Sequence, residues 1–516
     1  MPVRPARTRR RADTGTGRVV IARRNLVALA AAGAAALASC EPSAPDPDVQ
    51  RYDQPSRCDT SSPGLEEMGA TSLQVHETSR VGTTWAGMPV GQSLLTTHTQ
   101  QYVAYYDADR RMTLAQRPLA EDGTAIDGWK QRQVGSTLGW DSHNYVTMAV
   151  DRRGALHVAG NMHGDPLDYL RTGDDGDISW IGRVQTMVSE ATEQRVTYPV
   201  FLRGLDGTVF FYYRDGTSGA GATYMNYYDE TTSTWSRATP GALFDGRDGA
   251  TDRNAYQTRP VLGPDGRFHM LWVWRDTIDV STNSRLTYAR TEDFSRWEAA
   301  DGTSLSLPFT YEGGDVVDPI PEGRGLINGL QAVGFDHGGS PVITYEKYDD
   351  EGNLQLWGAR PSAGGGWSTN QLTRWDNPMT VAGSGTVDLG FDLAAAQPQD
   401  DGTLAVDYSC QGTGLTLTLD SALGFVSQQV RRPEYPAELL RITGQEAGLT
   451  PRIAEDLGTA HDYEPRRHYV LRWESLSTNG DQPRDVWPEE GSTLIVVDLG
   501  NAERGVLQPD PQGETS

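Results

Sequence analysis

The chain has 516 residues, with 45 basic against 69 acidic side chains and a net charge of −24. Such a balance offers no broad positive field to nucleic acid, and no nucleic-acid partner is expected. Only Lys130 and Lys347 are lysines, so nearly every cation is a guanidinium, the group suited to a bidentate grip on carboxylate or sulfate.

Residues 1–39 read as an export signal. Arginines at 4, 7, 9, 10, 11, 18, 23 and 24 precede an apolar run from Leu26 to Ala38, which ends in the lipobox pattern Leu37-Ala38-Ser39-Cys40. The run is too short for a membrane-spanning helix, which needs roughly 18 apolar residues. Cleavage before Cys40 and lipidation of its thiol are expected. The product would be an exported cell-surface lipoprotein that touches the membrane only through its lipid, and Arg23-Arg24 is compatible with twin-arginine export. Residues 40–69, rich in Pro, Ser and Asp, read as a tether, and residues 506–516 as a disordered tail. Residues 1–39 carry eight arginines and one aspartate, so their removal leaves a net charge of −31. Cys58 and Cys410 could form one disulfide, and spacing does not say whether they meet.

Between the tether and the tail, residues 70–505 repeat one pattern: a β-rich apolar run, an acidic-glycine turn and a second β-rich run. It is clearest at 148–158, 200–211, 261–272 and 333–343, and weaker around Asp400-Asp401-Gly402. Turns beginning at 151, 206, 265, 336 and 400 are 55, 59, 71 and 64 residues apart, the size of a propeller blade with long loops. The expectation is an all-β, single-domain, seven-bladed β-propeller, and a monomer. Short helices are possible only in loops such as 189–194 and 433–444.

Residues equidistant from a hairpin turn face each other across the ladder. A centre near Arg153 sets His143 opposite His163, and one at Asp206 sets Tyr198 opposite Arg214. A centre between Asp265 and Gly266 sets Tyr256 opposite Arg275, and one near His337 to Gly338 sets Asn328 opposite Lys347. If equivalent hairpins point their turns to one face, these polar pairs ring the mouth of the channel at the other. His157, His269 and His337 lie beside turns and read as structural.

The stretches Gly139-Trp-Asp-Ser-His-Asn144, Gly160-Asn-Met-His-Gly164, Val196-Thr-Tyr-Pro199, Tyr213-Arg-Asp-Gly-Thr-Ser-Gly219 and Leu271-Trp-Val-Trp-Arg275 resemble the BNR-repeat family of bacterial secreted proteins. So does His468-Tyr-Val-Leu-Arg-Trp-Glu474. That group includes seven-bladed ulvan lyases, rhamnose-glucuronate lyases and propeller α-rhamnosidases. The resemblance spans about residues 80 to 500. It implies a histidine pair at His143 and His163, a catalytic tyrosine at Tyr198 and a charge-neutralising arginine at Arg214. The metal ion it also implies has no recognisable ligand set here, and no cofactor is required for the chemistry.

These groups suit β-elimination from a 4-linked uronate in an acidic polysaccharide of the ulvan or arabinogalactan type, at a rhamnose-α-1,4-glucuronate linkage. Arg214, helped by Arg275, would grip the carboxylate where charge develops. His143 would remove the C5 proton and Tyr198 protonate the leaving oxygen, or the two could exchange roles, or Tyr198 could do both. His163 would orient the base or hold the sugar. Asn144, Trp140, Tyr256 and Trp274 are candidates for sugar contacts. Two alternatives stay open: hydrolysis by an α-L-rhamnosidase-type enzyme using Asp141, Asp165 or Asp215, and a non-catalytic carbohydrate-binding lipoprotein.

Overall fold

A computed structural model describes residues 71 and 73–500, apart from 248–251, 377, 386, 388, 411–412, 432 and 459–466. The export signal, the whole tether at 40–69 with Cys40 and Cys58, and the tail at 506–516 lie outside the described residues. Cys410 is disulfide-bonded.

The expected hairpins form for the reasons the sequence offers. Gly154, Gly207, Gly266, Gly339 and Gly402 adopt the positive φ that the turns require. Asp151, Asp206, Asp265, Asp336 and Asp401 each accept the backbone N–H two residues further on, which fixes the turn before the second strand begins. Among the described residues the strands assemble into seven antiparallel sheets of four to seven strands. Among the described residues helix is confined to Ala437–Leu440 and three single 3-10 turns, one of them Glu190–Thr192, so both loops read as able to hold short helices do so. Among the described residues no helix is long and apolar enough to cross a membrane.

The sheets close into a propeller. First strands of neighbouring sheets lie side by side, Ser93–Thr96 against Val146–Val150 and Val146–Val150 against Val196–Arg203. Ser93–Thr96 also meets Thr450–Glu455, with Leu94 bridging Asp456. The last sheet is completed from the other end of the chain: Glu77–Thr84 pairs with Ser492–Asp498 as its outermost strand. Central strands are buried on both faces, as in Phe268–Arg275, because each sheet packs against two others.

The turn side holds a cavity of about 440 Å³ among residues 97–100, 148–154 and 201–203. The opposite ends of the hairpins converge on a larger cavity of about 590 Å³.

His157 and His269 are structural, as expected. Each imidazole bridges a turn aspartate and a tyrosine hydroxyl: His157 reaches Asp151 at 3.2 Å and Tyr169 at 2.7 Å, and His269 reaches Asp265 at 2.9 Å and Tyr288 at 2.5 Å. Burial pushes both imidazoles below their ordinary value, with the aspartates working against it. A group whose folded pKa is depressed contributes stability above its unfolded value, near 6.5 for histidine, and loses it as pH falls. His157→Gln should therefore destabilise the protein by roughly 1–3 kcal/mol at pH 7.5. The gap in melting temperature between wild type and variant should narrow as pH is lowered to 5. A gap that stays constant or widens in calorimetry would contradict this.

Candidate active site

The larger cavity is lined by His143, His163, Tyr198, Arg275, Asn328 and Asp481 among others. His143 lies just before the strand Val146–Val150, and His163 just beyond its partner Leu156–Gly160. The ladder Val146↔Gly160 to Val150↔Leu156 extrapolates to His143 facing His163, as the hairpin count gave. Their rings stack at 4.3 Å.

What the count did not reveal is the group that holds them. The Asp141 carboxylate lies between the two imidazoles, Oδ1 2.8 Å from His143 Nδ1 and Oδ2 2.5 Å from His163 Nδ1. Burial alone would push this carboxyl up, but the hydrogen bonds from His143 and His163 outweigh it and hold the group well below the usual carboxylate range. An ionised carboxylate only accepts, so both Nδ1 atoms carry protons, and in the neutral rings each Nε2 is an acceptor. Asp481 supports the same loop: its Oδ1 accepts from the Ser142 N–H at 2.9 Å and hydroxyl at 2.7 Å, and its Oδ2 stands 3.7 Å from His143 Nδ1.

Tyr198 comes from the next sheet, its ring centroid 5.8 Å from that of His143 and 6.4 Å from that of His163. Its backbone is left-handed, with φ of 54° directly before Pro199. That conformation is unfavourable for a bulky residue, and more so ahead of proline. It coincides with a register shift between Thr197 and Val200. In consequence Arg214 pairs with Thr197 rather than Tyr198, one residue from the expected register. The two side chains still meet: the Arg214 guanidinium lies 4.9 Å from the Tyr198 ring centroid.

Beyond Tyr198 the row continues through Tyr256, at 6.1 Å between ring centroids. Tyr256 is flanked by Arg214 at 5.9 Å and Arg275 at 4.4 Å, and its hydroxyl accepts from Arg214 Nη1 at 3.4 Å. On the ladder Arg275 pairs with Asn254, not Tyr256. Arg275 Nη1 donates to Asn328 Oδ1 at 3.2 Å, and Asn328 is in turn placed by Glu346, whose fully buried carboxyl accepts from the Ile327 N–H at 2.7 Å. Burial pushes the Glu346 carboxyl up to about 8.

Four readings are corrected. Trp274 is fully buried in the core with Trp272, Phe244 and Phe309 and is not a sugar platform. Trp140 packs edge-on between Trp85 and Trp487, away from the cavity lining. Asn144 is buried, its backbone oxygen accepting from the Tyr106 hydroxyl at 2.5 Å, and it does not line the cavity. Lys347 turns from Asn328 to pair with Asp318 at 2.6 Å and lies over Trp357 at 4.1 Å.

Asp141, His143 and His163 are also the group of three ligating side chains, among the described residues, whose donor atoms fall within 4.8 Å of one another. A two-imidazole, one-carboxylate set suits zinc in chemistry. An ion between the three would replace the two shared protons and leave both Nε2 atoms facing outward.

Three comparisons bear on this arrangement. Residues 100–375 match the description "BNR repeat-containing family member". The chain is 41% identical over 178 residues to the short isoform of an ulvan lyase from Alteromonas sp. (strain LOR), a match covering 30% of this chain and 32% of that protein. It is 38% identical over 74 residues to the long isoform of an ulvan lyase from Glaciecola sp. (strain KUL10), covering 14% and 6%. The chain thus spans a third or less of the length of these curated relatives. In fold it is similar to the crystal structure of the polysaccharide lyase Uly1, with a TM-score of 0.56 at 13% identity, over 83% of this chain and 100% of that one. With more than half of its length matched, this chain belongs to the BNR repeat-containing family.

Proposed function

We propose that this protein is a polysaccharide lyase that eliminates across a rhamnose-α-1,4-glucuronate linkage, in a glycan of the ulvan or arabinogalactan type. The observation that carries the reading is the Asp141 carboxylate shared by two stacked imidazoles, set beside a tyrosine on a buried guanidinium. The names of the two curated relatives agree with it. We further propose that the seven sheets are seven blades, that the protein is a monomer, and that it is exported and anchored by lipid on Cys40.

Removing the C5 proton of a uronate places a second negative charge on the carboxylate, so the site must supply positive charge there. Arg214 and Arg275, on either side of Tyr256, are the cations at hand. His143, with its Nδ1 proton held by Asp141, presents Nε2 as the base. The C5–H proton passes to Nε2, its electron pair becomes the C4=C5 double bond, the C4–O4 bond breaks, and the departing oxygen takes the Tyr198 proton. Hydrolysis fits the same residues less well. It needs a carboxyl able to give up a proton near neutrality, whereas Asp141, the one of its candidates Asp141, Asp165 and Asp215 that lies between the two imidazoles, is held ionised.

Incubation with ulvan and gum arabic in parallel should produce the ultraviolet absorbance of an unsaturated uronate on at least one of them; reducing ends without that chromophore would sink the lyase reading. Tyr198→Phe and His143→Ala should each lower kcat by roughly 10²- to 10⁴-fold, and Asp141→Asn by about 10²-fold, with circular dichroism unchanged. Turnover should also survive exhaustive dialysis against a chelator. Loss of activity that zinc restores would instead assign Asp141, His143 and His163 as metal ligands.

A further inference from the structure

We propose that residues 381–385 form a strap across one end of the active-site cavity, so that the protein removes single deoxyhexose residues from chain ends instead of cutting within chains. The inference rests on the lyase reading and narrows its substrate to glycans with side chains ending in deoxyhexose-1,4-glucuronate.

Val381 is buried, and its N–H donates to the Tyr348 hydroxyl at 2.8 Å. Gly383 is held from both sides: its N–H donates to Asp279 Oδ1 at 3.0 Å, and its carbonyl accepts from the Val280 N–H at 2.8 Å. Asp279 and Val280 follow Arg275 on the loop that leaves Phe268–Arg275. Two residues beyond Gly383, a Cβ built on Gly385 would stand 3.9 Å from Asp481 Oδ2 and from the Gly480 carbonyl oxygen. Asp481 is the carboxylate beside His143, on the loop between Tyr469–Ser475 and Ser492–Asp498. In chain order two whole sheets, 332–371 and 391–430, separate these anchors. A segment tied to both passes over the mouth and does not follow its edge. Gly383 takes a φ of 119°, which only glycine adopts without strain.

Ser384 and Gly385 line the cavity, together with Val280, Leu330, Val387 and Leu389. Val280 and Leu330 belong to the hydrophobic core there, Val387 and Leu389 pack against it, and a Cβ built on Gly383 would stand 3.6 Å from Val387 Cγ2. The end beneath the strap is therefore apolar, and the whole cavity, about 590 Å³, has the volume of a small-molecule pocket. The uronate belongs with the guanidiniums of the site, and the apolar end suits the uncharged sugar on its O4, whose C6 is a methyl group. Burying one methyl group is worth roughly 3- to 5-fold in affinity. When the C4–O4 bond breaks, the oxygen leaves on C1 of that sugar and takes the Tyr198 proton. The departing fragment is then one free deoxyhexose, and the chain keeps the unsaturated uronate at its new end.

The test digests gum arabic, which carries the linkage at side-chain ends, and desulfated ulvan, which carries it within the chain. Gum arabic should release free deoxyhexose, one molecule for each ultraviolet chromophore formed. Internal cleavage of desulfated ulvan, read as loss of chain length by size-exclusion chromatography, should be at least about 10-fold slower. Gly383→Pro removes the N–H and cannot take the left-handed φ. It should narrow the gap to within about 3-fold, while release of free deoxyhexose stays within about 3-fold of wild type. Should Gly383→Pro fail to fold, Asp279→Ala, which removes the acceptor of the same N–H, decides by the same ratio. Early unsaturated oligosaccharides from desulfated ulvan with the wild-type protein, or an unchanged gap in the strap variant, overturn the proposal. Absence of the chromophore on both glycans would overturn the lyase reading instead.

Discussion

The pairing of Glu77–Thr84 with Ser492–Asp498 joins the two ends of the described chain in one sheet, and the ring depends on it. Once the ring is shut, each sheet has neighbours on both faces, and side chains along its central strands have nowhere to go but the core. Chemistry is left to the two rims, where strands begin and end. One rim is occupied by turns that need their aspartates and glycines for their own geometry. The other receives the free ends of the hairpins, and there His143, His163, Tyr198 and Arg275 meet. Closure therefore selects the site before any particular residue does.

This explains what could be read from the chain alone. Hairpin counting worked wherever the ladder runs without interruption, as between Val146–Val150 and Leu156–Gly160. It slipped by one at Tyr198, because a bulge adds a residue to one strand and leaves no mark in the pattern of apolar residues. It slipped again at Arg275, where the inner strand is broken into Asn254–Gln257 and Val261–Leu262. Trp274 was misread because a strand buried on both faces loses the alternation that separates core from surface. Asp141 stood in view, two residues before His143, but its role depends on His163 turning toward it, and Asp481 lies 339 residues from Ser142. No local signal reports contacts of that kind.

Charge at the site is arranged against the character of the molecule. The chain as a whole is acidic, yet the rim carries two buried guanidiniums without carboxylate partners among the described residues, next to a carboxylate committed to two imidazoles. A polyanion would not be drawn in from a distance by such a protein, and under the proposed function it would be held only after entering a cavity where water no longer competes for the donors. Selectivity in this setting comes from fit and desolvation more than from long-range attraction.

The backbone at Tyr198 carries a consequence for the history of the fold. A left-handed tyrosine ahead of a proline is worth about 1–3 kcal/mol of strain, which the surrounding sheets must hold in check. Glycine would relax that position at once, and an extended backbone would remove the bulge with it. Either change would relieve the backbone strain, and either would take the phenol away from its place beside His143. A lineage selected for robustness alone would lose this residue early, so position 198 marks where the demands of folding and of chemistry pull apart.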